Sequence, residues 1–179
     1  TKKVSSLRNH GLSKTLVERN KHTKPWNYDV VIPGYNFRLD EVRSSLGLSQ
    51  IKKFQKFRKN RIEAAKYYNE FFSKIPGIEL IPYKEIKNHV YHLYIIQITK
   101  KFGMSRDEVH QKLYELGIGT TVHYKPLHKF SIFKNYNFKE SEFKISNQAF
   151  NECLSIPLFS SITQKQQDYV TSSIKSLRN

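Results

Sequence analysis

Val90-Tyr91-His92-Leu93-Tyr94-Ile95-Ile96-Gln97-Ile98 is β-branched and aromatic almost throughout, which predicts a buried strand over residues 90–98. Downstream, Ser105-Arg106-Asp107-Glu108 has the spacing of a capping box, with Ser105 closing the first turn and Glu108 reaching back. The helix it opens runs to about Leu116, and Gly117 is placed to end it in the left-handed conformation. Residues 120–124 then read as another strand, and residues 78–81, on the upstream side, as a short one. Residues 78–124 therefore give β, β, α, β. A helix near residues 143–154 and a last one capped by Thr163 complete the tail. The class is α/β or α+β, a small sheet covered by helices.

Upstream of the sheet the period changes. Leu39, Val42, Leu46, Leu48, Ile51, Phe54, Phe57 and Ile62 fall mostly three or four apart, so residues 40–75 read as one helix. Asp40 and Glu41 suit its positive end, and Pro76-Gly77 stops it. At 1.5 Å per residue it would be about 54 Å long, so it either bridges two bodies or breaks near Gly47. Lys52, Lys56 and Lys59 form a stripe facing water, with Ile51, Phe54, Phe57 and Ile62 on the opposite arc, where a core would be. Arg58 and Arg61 fall in that apolar arc, where a guanidinium must snorkel, find a partner or hold a ligand. Residues 1–37 look irregular, with turn formers at Asn9-His10-Gly11 and Pro33-Gly34, and read as the tail of something larger.

The 179 residues carry 31 Lys and Arg against 15 Asp and Glu, a formal charge of +16. Residues 1–75 hold 17 of the bases and 6 of the acids, so the excess is concentrated there. Such a field attracts nucleic acid, anionic lipid or phosphorylated small molecules, or it is a solvated lysine-rich surface. Cys153 is the one cysteine, which excludes a disulfide framework and a cysteine zinc site and favours a reducing compartment. Its apolar neighbours make it a small core residue rather than a nucleophile. No apolar run approaches the roughly 18 residues of a membrane span, so the chain reads as soluble and cytoplasmic. His89 and His92, three apart within or beside a strand, point to opposite faces, which speaks against a shared metal. His123 and His128 flank a Tyr-Lys-Pro-Leu loop after a strand, a place either for ligand contact or for an ordinary surface loop. The chain contains no dinucleotide, Walker, HExxH or GxSxG signature, and no RRM, KH or zinc-finger pattern. Composition and spacing alone stop at a basic α/β domain, with an anion-binding role, a polyanion-binding module among its forms, and a plain lysine-rich surface both open.

The ordered motifs say more. Gly34-Tyr35-Asn36-Phe37-Arg38-Leu39-Asp40-Glu41-Val42, followed by Leu46-Gly47-Leu48-Ser49-Gln50, resembles the signature of the DegT/DnrJ/EryC1/StrS family, pyridoxal-phosphate-dependent aminotransferases acting on nucleotide-linked keto sugars. Agreeing features come in the family's order. They are Leu7-Arg8-Asn9-His10-Gly11, then Arg61 with Ala64-Ala65 and Tyr68, then His92-Leu93-Tyr94, then Gly117-Ile118-Gly119-Thr120. Val122-His123-Tyr124 with Pro126-Leu127-His128, and Ser155-Ile156-Pro157-Leu158, follow. Ser44-Ser45 departs from the family's frequent alanine pair, which bears on helix packing more than on chemistry.

The resemblance covers the family's carboxyl half. It implies that residues 1–37 end the large cofactor-binding domain, 38–75 form a long linking helix, and 76–179 form the small domain of a fold-type-I aminotransferase with a mainly antiparallel sheet. The Schiff-base lysine and the aspartate that pairs with the pyridine nitrogen would lie upstream, so no catalytic residue is assigned and the chain alone is not expected to transaminate. Asn36 corresponds to the asparagine that reaches across a homodimer interface to the cofactor phosphate, with Tyr35 and Arg38 supporting it or touching the substrate's phosphates. His123, Tyr124 and His128 match the loop that closes on the sugar nucleotide. The implied cofactor is pyridoxal 5'-phosphate, the implied amino donor glutamate, and no metal, nucleic acid or membrane is called for.

Overall fold

The computed structural model describes residues 2–21, 23–82 and 89–178. The chain divides into two compact units, residues 1–53 and 54–179.

The second unit is built on a three-stranded sheet in the order β1-β2-β3, with β1 at Ile78–Leu80, β2 at Tyr94–Ile98 and β3 at Cys153–Ile156. Both pairings are antiparallel: Ile78 lies opposite Ile98, and Tyr94 opposite Ile156. Along β2 the alternation that marks a half-covered strand appears as burial of Tyr94, Ile96 and Ile98. On that face pack Tyr68 and Phe72 of helix α3 (Glu41–Phe72), Val109 and Leu113 of α4 (Arg106–Glu115), and Val170 and Ile174 of α6 (Gln164–Ser176). A further helix, α5 (Lys144–Glu152), packs against β2. The small antiparallel sheet covered by helices and preceded by a long helix is thus the architecture the chain forms.

Local chemistry set several of these boundaries. The Ser105 side chain accepts from the Glu108 backbone N–H while Glu108 takes the Ser105 N–H at 2.7 Å, the reciprocal box expected for α4. Gly117 follows at φ +74°. Thr163 caps α6 in the same way, with Gln166 as the returning partner.

Three expectations are corrected. The strand expected over 90–98 begins only at Tyr94: the carbonyls of Tyr91 and His92 accept instead from Arg61 Nη1, at 2.9 and 3.2 Å, and Pro157 ends β3 opposite Tyr94. His89 and His92 consequently precede the strand rather than lie in it. Residues 120–124 are not a strand; Thr121 makes one antiparallel bridge to Ser155 and nothing more. The helix expected to 154 stops at Glu152, because Cys153–Ile156 pairs with β2 as the third strand.

Helix α3 is unbroken at Gly47 and its 32 residues span about 48 Å. Lys52, Lys56 and Lys59 are exposed as expected. The apolar arc expected to form a core does not: Ile51 is 71% and Phe54 50% exposed, and burial begins only at Ala64. Arg61 belongs to that buried end. Its Nη1 also donates to the Leu158 carbonyl at 3.2 Å, so one guanidinium ties α3 to the segments flanking β2 and β3. Arg58 is half-buried and makes no ion pair among the described residues.

The first unit holds α1 (Lys2–Leu7), α2 (Leu16–Asn20) and the start of α3. It is knit by backbone pairing, with antiparallel bridges Asn9 to Asn36 and Leu12 to Val30. None of its described hydrophobic side chains is buried. No described helix is long and apolar enough to cross a membrane.

Candidate functional site

Two clusters of residues were singled out from the sequence, one in each unit. In the first, the segment carrying Tyr35, Asn36 and Arg38 is laid against residues 7–11 by main-chain bonds. Tyr35 N–H donates to the Leu7 carbonyl at 2.7 Å, His10 N–H to the Tyr35 carbonyl at 2.9 Å, and Phe37 N–H to the Arg8 carbonyl at 2.9 Å. The approach is so close that only glycine fits at the crossing. A Cβ on Gly34 would sit 2.1 Å from the Gly11 nitrogen, and one on Gly11, at φ +75°, would sit 1.7 Å from the Ile32 oxygen. This explains in physical terms why Gly11 and Gly34 stand where they do.

The frame leaves the side chains of Tyr35, Asn36, Phe37 and Arg38 exposed. Tyr35 and Phe37 stack, ring centroids 4.9 Å apart and nearly coplanar at 4°. Between them along the chain, the exposed Asn36 amide makes no hydrogen bond among the described residues. Arg38 is steadied by Asn9, whose Oδ1 accepts from Nη2 at 3.1 Å. An exposed amide and an exposed guanidinium on a backbone tied by main-chain hydrogen bonds are a donor set suited to a phosphate group.

In the second unit, Thr121 leads from its bridge with Ser155 into the loop of His123, Tyr124 and His128. His123 Nδ1 lies 2.9 Å from the buried Ser155 hydroxyl on β3. The His123 ring meets Tyr124 edge to face at 4.7 Å, and Tyr124 itself is exposed. His128 is held elsewhere: its ring stacks on Phe143 at 4.1 Å and its Nε2 lies 3.0 Å from Asn147 Oδ1. Both histidines are half-buried and hydrogen-bonded to distinct partners. Leu127, His128, Phe133, Phe138, Phe143 and Ser146 line a cavity of about 460 Å³.

Sequence reasoning missed Asn9, Ser155 as a hydrogen-bond partner, and Asn147. Asn9 and Ser155 stand inside motifs that carried the resemblance, so a signal existed for them. Asn147 had none, because its relation to His128 arises only when α5 folds back over the loop. No group of three or more His, Cys, Asp or Glu able to hold a metal occurs among the described residues. Cys153 is half-buried rather than a core residue, and burial pushes its thiol above its ordinary value, which disfavours the thiolate a nucleophile needs.

Residues 1–175 match the model of the DegT/DnrJ/EryC1/StrS aminotransferase family. The chain belongs to this family. Spore coat polysaccharide biosynthesis protein SpsC of Bacillus subtilis is 32% identical over 178 residues, which are 98% of this chain and 46% of that protein. The UDP-4-amino-4,6-dideoxy-N-acetyl-beta-L-altrosamine transaminase of Campylobacter jejuni is 32% identical over 175 residues, 98% of this chain and 44% of that enzyme. Among solved structures, the putative sugar aminotransferase Spr1654 of Streptococcus pneumoniae in its PMP form superposes with a TM-score of 0.78 at 26% identity, over 99% of this chain and 44% of that one. The same protein is also known in a PLP form. This member of the DegT/DnrJ/EryC1/StrS family therefore spans less than half the length of the relatives it matches.

Proposed function

We propose that this chain is the carboxyl-terminal portion of a pyridoxal-phosphate-dependent aminotransferase that moves an amino group from glutamate onto a nucleotide-linked keto sugar, in cell-surface polysaccharide or amino-sugar biosynthesis in the cytoplasm. The observation that carries the reading is the family match across residues 1–175, with relatives named as a sugar transaminase and a polysaccharide biosynthesis protein. Residues 1–37 then end the large domain, 38–75 link, and 76–179 are the small domain. On this reading the Schiff-base lysine is not among these residues, and the chain by itself does not transaminate.

The donor set fits the cofactor's phosphate. Asn36 offers its amide to the phosphate bound by the partner subunit of a homodimer, and Arg38, steadied by Asn9, supports it or meets the substrate's phosphates beside Tyr35. When bound, the cofactor supplies the electron sink for the chemistry. This chain's share is to hold anions and to orient the sugar. His123 and His128, each fixed by a second residue, and the exposed Tyr124 close on the sugar nucleotide.

The test is pyridoxal phosphate titration of the intact enzyme and its Asn36→Ala variant. Loss of a hydrogen bond to a charged group, roughly 1.5–3 kcal/mol, predicts affinity about ten- to a hundredfold weaker. Unchanged affinity would remove Asn36 from the cofactor site. Failure of the intact enzyme to form 2-oxoglutarate from glutamate with any keto sugar nucleotide would overturn the activity.

A further inference from the structure

The turn and helix that follow the histidine loop hold His128 by more than packing. A 3-10 turn at Glu140–Phe143 and the helix after it bring the Phe143 ring and the Asn147 amide to one imidazole, with the Glu140 carboxylate against the far edge of that amide. The chemistry of the chain of contacts fixes its polarity. Asn147 Nδ2 lies 2.5 Å from Glu140 Oε2 and 3.4 Å from the Glu140 carbonyl oxygen. Both are acceptors only, so the amide edge facing them is the NH2 group. Glu140 is held in turn by Lys129, its Oε2 3.8 Å from Nζ. The carbonyl edge of Asn147 must then face His128, and an acceptor 3.0 Å from Nε2 requires a proton on Nε2. If the imidazole is neutral, Nδ1 is left as a lone-pair acceptor, and it has no hydrogen-bond partner among the described residues.

We propose that Asn147, oriented by Glu140, is a positioning residue that holds His128 as its Nε2–H tautomer against Phe143, so that Nδ1 accepts a hydrogen bond from a hydroxyl of the sugar substrate. This rests on the reading of His128 as a substrate contact. It adds a direction: His128 discriminates for a hydroxyl donor at the position it meets, and against a substrate that lacks that hydroxyl.

The test has two arms. In the first, the ¹⁵N-histidine-labelled 179-residue chain is followed by long-range ¹H–¹⁵N correlation, with His128→Gln locating the resonance. The expected result is an Nε2–H tautomer whose proton exchanges slowly with solvent. Asn147→Ala should expose that proton to fast exchange. Asn147→Asp combined with Glu140→Gln, which sets an amide donor in place of the opposed carboxylate, should keep it protected, and this rescue is not expected if residue 147 serves only packing. Glu140→Gln, which lets the amide turn over, should weaken the protection. An Nδ1–H tautomer, or an Nε2 proton equally protected in Asn147→Ala, overturns the proposal. In the second arm, Asn147→Ala in the intact enzyme should raise KM for the sugar nucleotide about three- to tenfold with little change in kcat, as for loss of one ground-state hydrogen bond. An unchanged KM beside the expected spectra would leave the tautomer standing and overturn the role of His128 at the substrate.

Discussion

Arg61 shows how much one side chain can decide. It stands in an apolar stretch of helix, where the sequence left a carboxylate partner, a snorkelling side chain or a ligand open. Its Nη1 instead donates to the carbonyls of Tyr91, His92 and Leu158, main-chain oxygens beside the ends of two strands. A charged donor serving neutral acceptors in a half-buried place is worth more than a surface ion pair. Arg61→Met should therefore cost about 2 kcal/mol, the scale of a lost hydrogen bond to a charged group. Arg61→Lys should recover only part of this, since an ammonium cannot reproduce the guanidinium's planar fork. Urea unfolding followed by far-ultraviolet circular dichroism measures both, and a neutral Arg61→Met would remove the residue from the scaffold. The same scale explains the Asn36 loop. Gly11 and Gly34 were legible as turn formers, but the backbone contact that forbids any other residue there appears only when the two segments are laid together.

At the scale of elements, what could be read from the sequence was what local chemistry determines. The box at Ser105 and Glu108, the cap at Thr163 and the β-branched, aromatic run of β2 all depend on residues within a few positions of one another. Elements created by distant pairing were not legible. Cys153–Ile156 continues a helical pattern until β2 offers it a ladder, and residues 120–124 look like a strand but find only the one bridge at Ser155. The cap yields a prediction with a pH signature. Ser105→Ala should destabilise the second unit by about 1 kcal/mol at neutral pH, the usual cost of a lost N-cap. The Ser105 side chain and backbone, bonding to Glu108, hold its carboxyl below the ordinary value of 4.5. A carboxyl depressed in the folded state contributes stability above its unfolded value and loses that contribution as pH falls through the folded one. The difference between wild type and Ser105→Ala in urea midpoint should therefore be largest above pH 4.5 and shrink below it. A difference that grows on acidification would contradict the box.

Across the whole molecule, charge and apolar exposure act against each other. The formal charge is +16, and the first unit, with no buried hydrophobic side chain among its described residues, presents Val42, Leu46, Leu48 and Ile51 each more than half exposed. On the proposed reading these surfaces lie against the rest of the enzyme and its partner subunit. In the 179-residue chain alone, like-charge repulsion is what keeps them apart. Salt changes that balance in a known direction, because the screening length falls from about 30 Å at 0.01 M to about 3 Å at 1 M ionic strength, while burial of apolar surface is undiminished. The chain should therefore sediment as smaller species at low ionic strength and associate as salt is raised. Hydrogen exchange should find residues 54–178 protected by the Tyr68–Tyr94–Ile174 core and residues 2–53 exchanging far faster in the low-salt form. A polyanion-binding module behaves in the opposite sense. Its function would rest on the charge itself, its nucleic-acid complexes would dissociate as salt is raised, and its free form would have no reason to associate. Association that weakens with salt, or submicromolar DNA binding with a steep negative salt dependence, would shift the meaning of the +16 from an incidental property of an enzyme's surface to the basis of its activity.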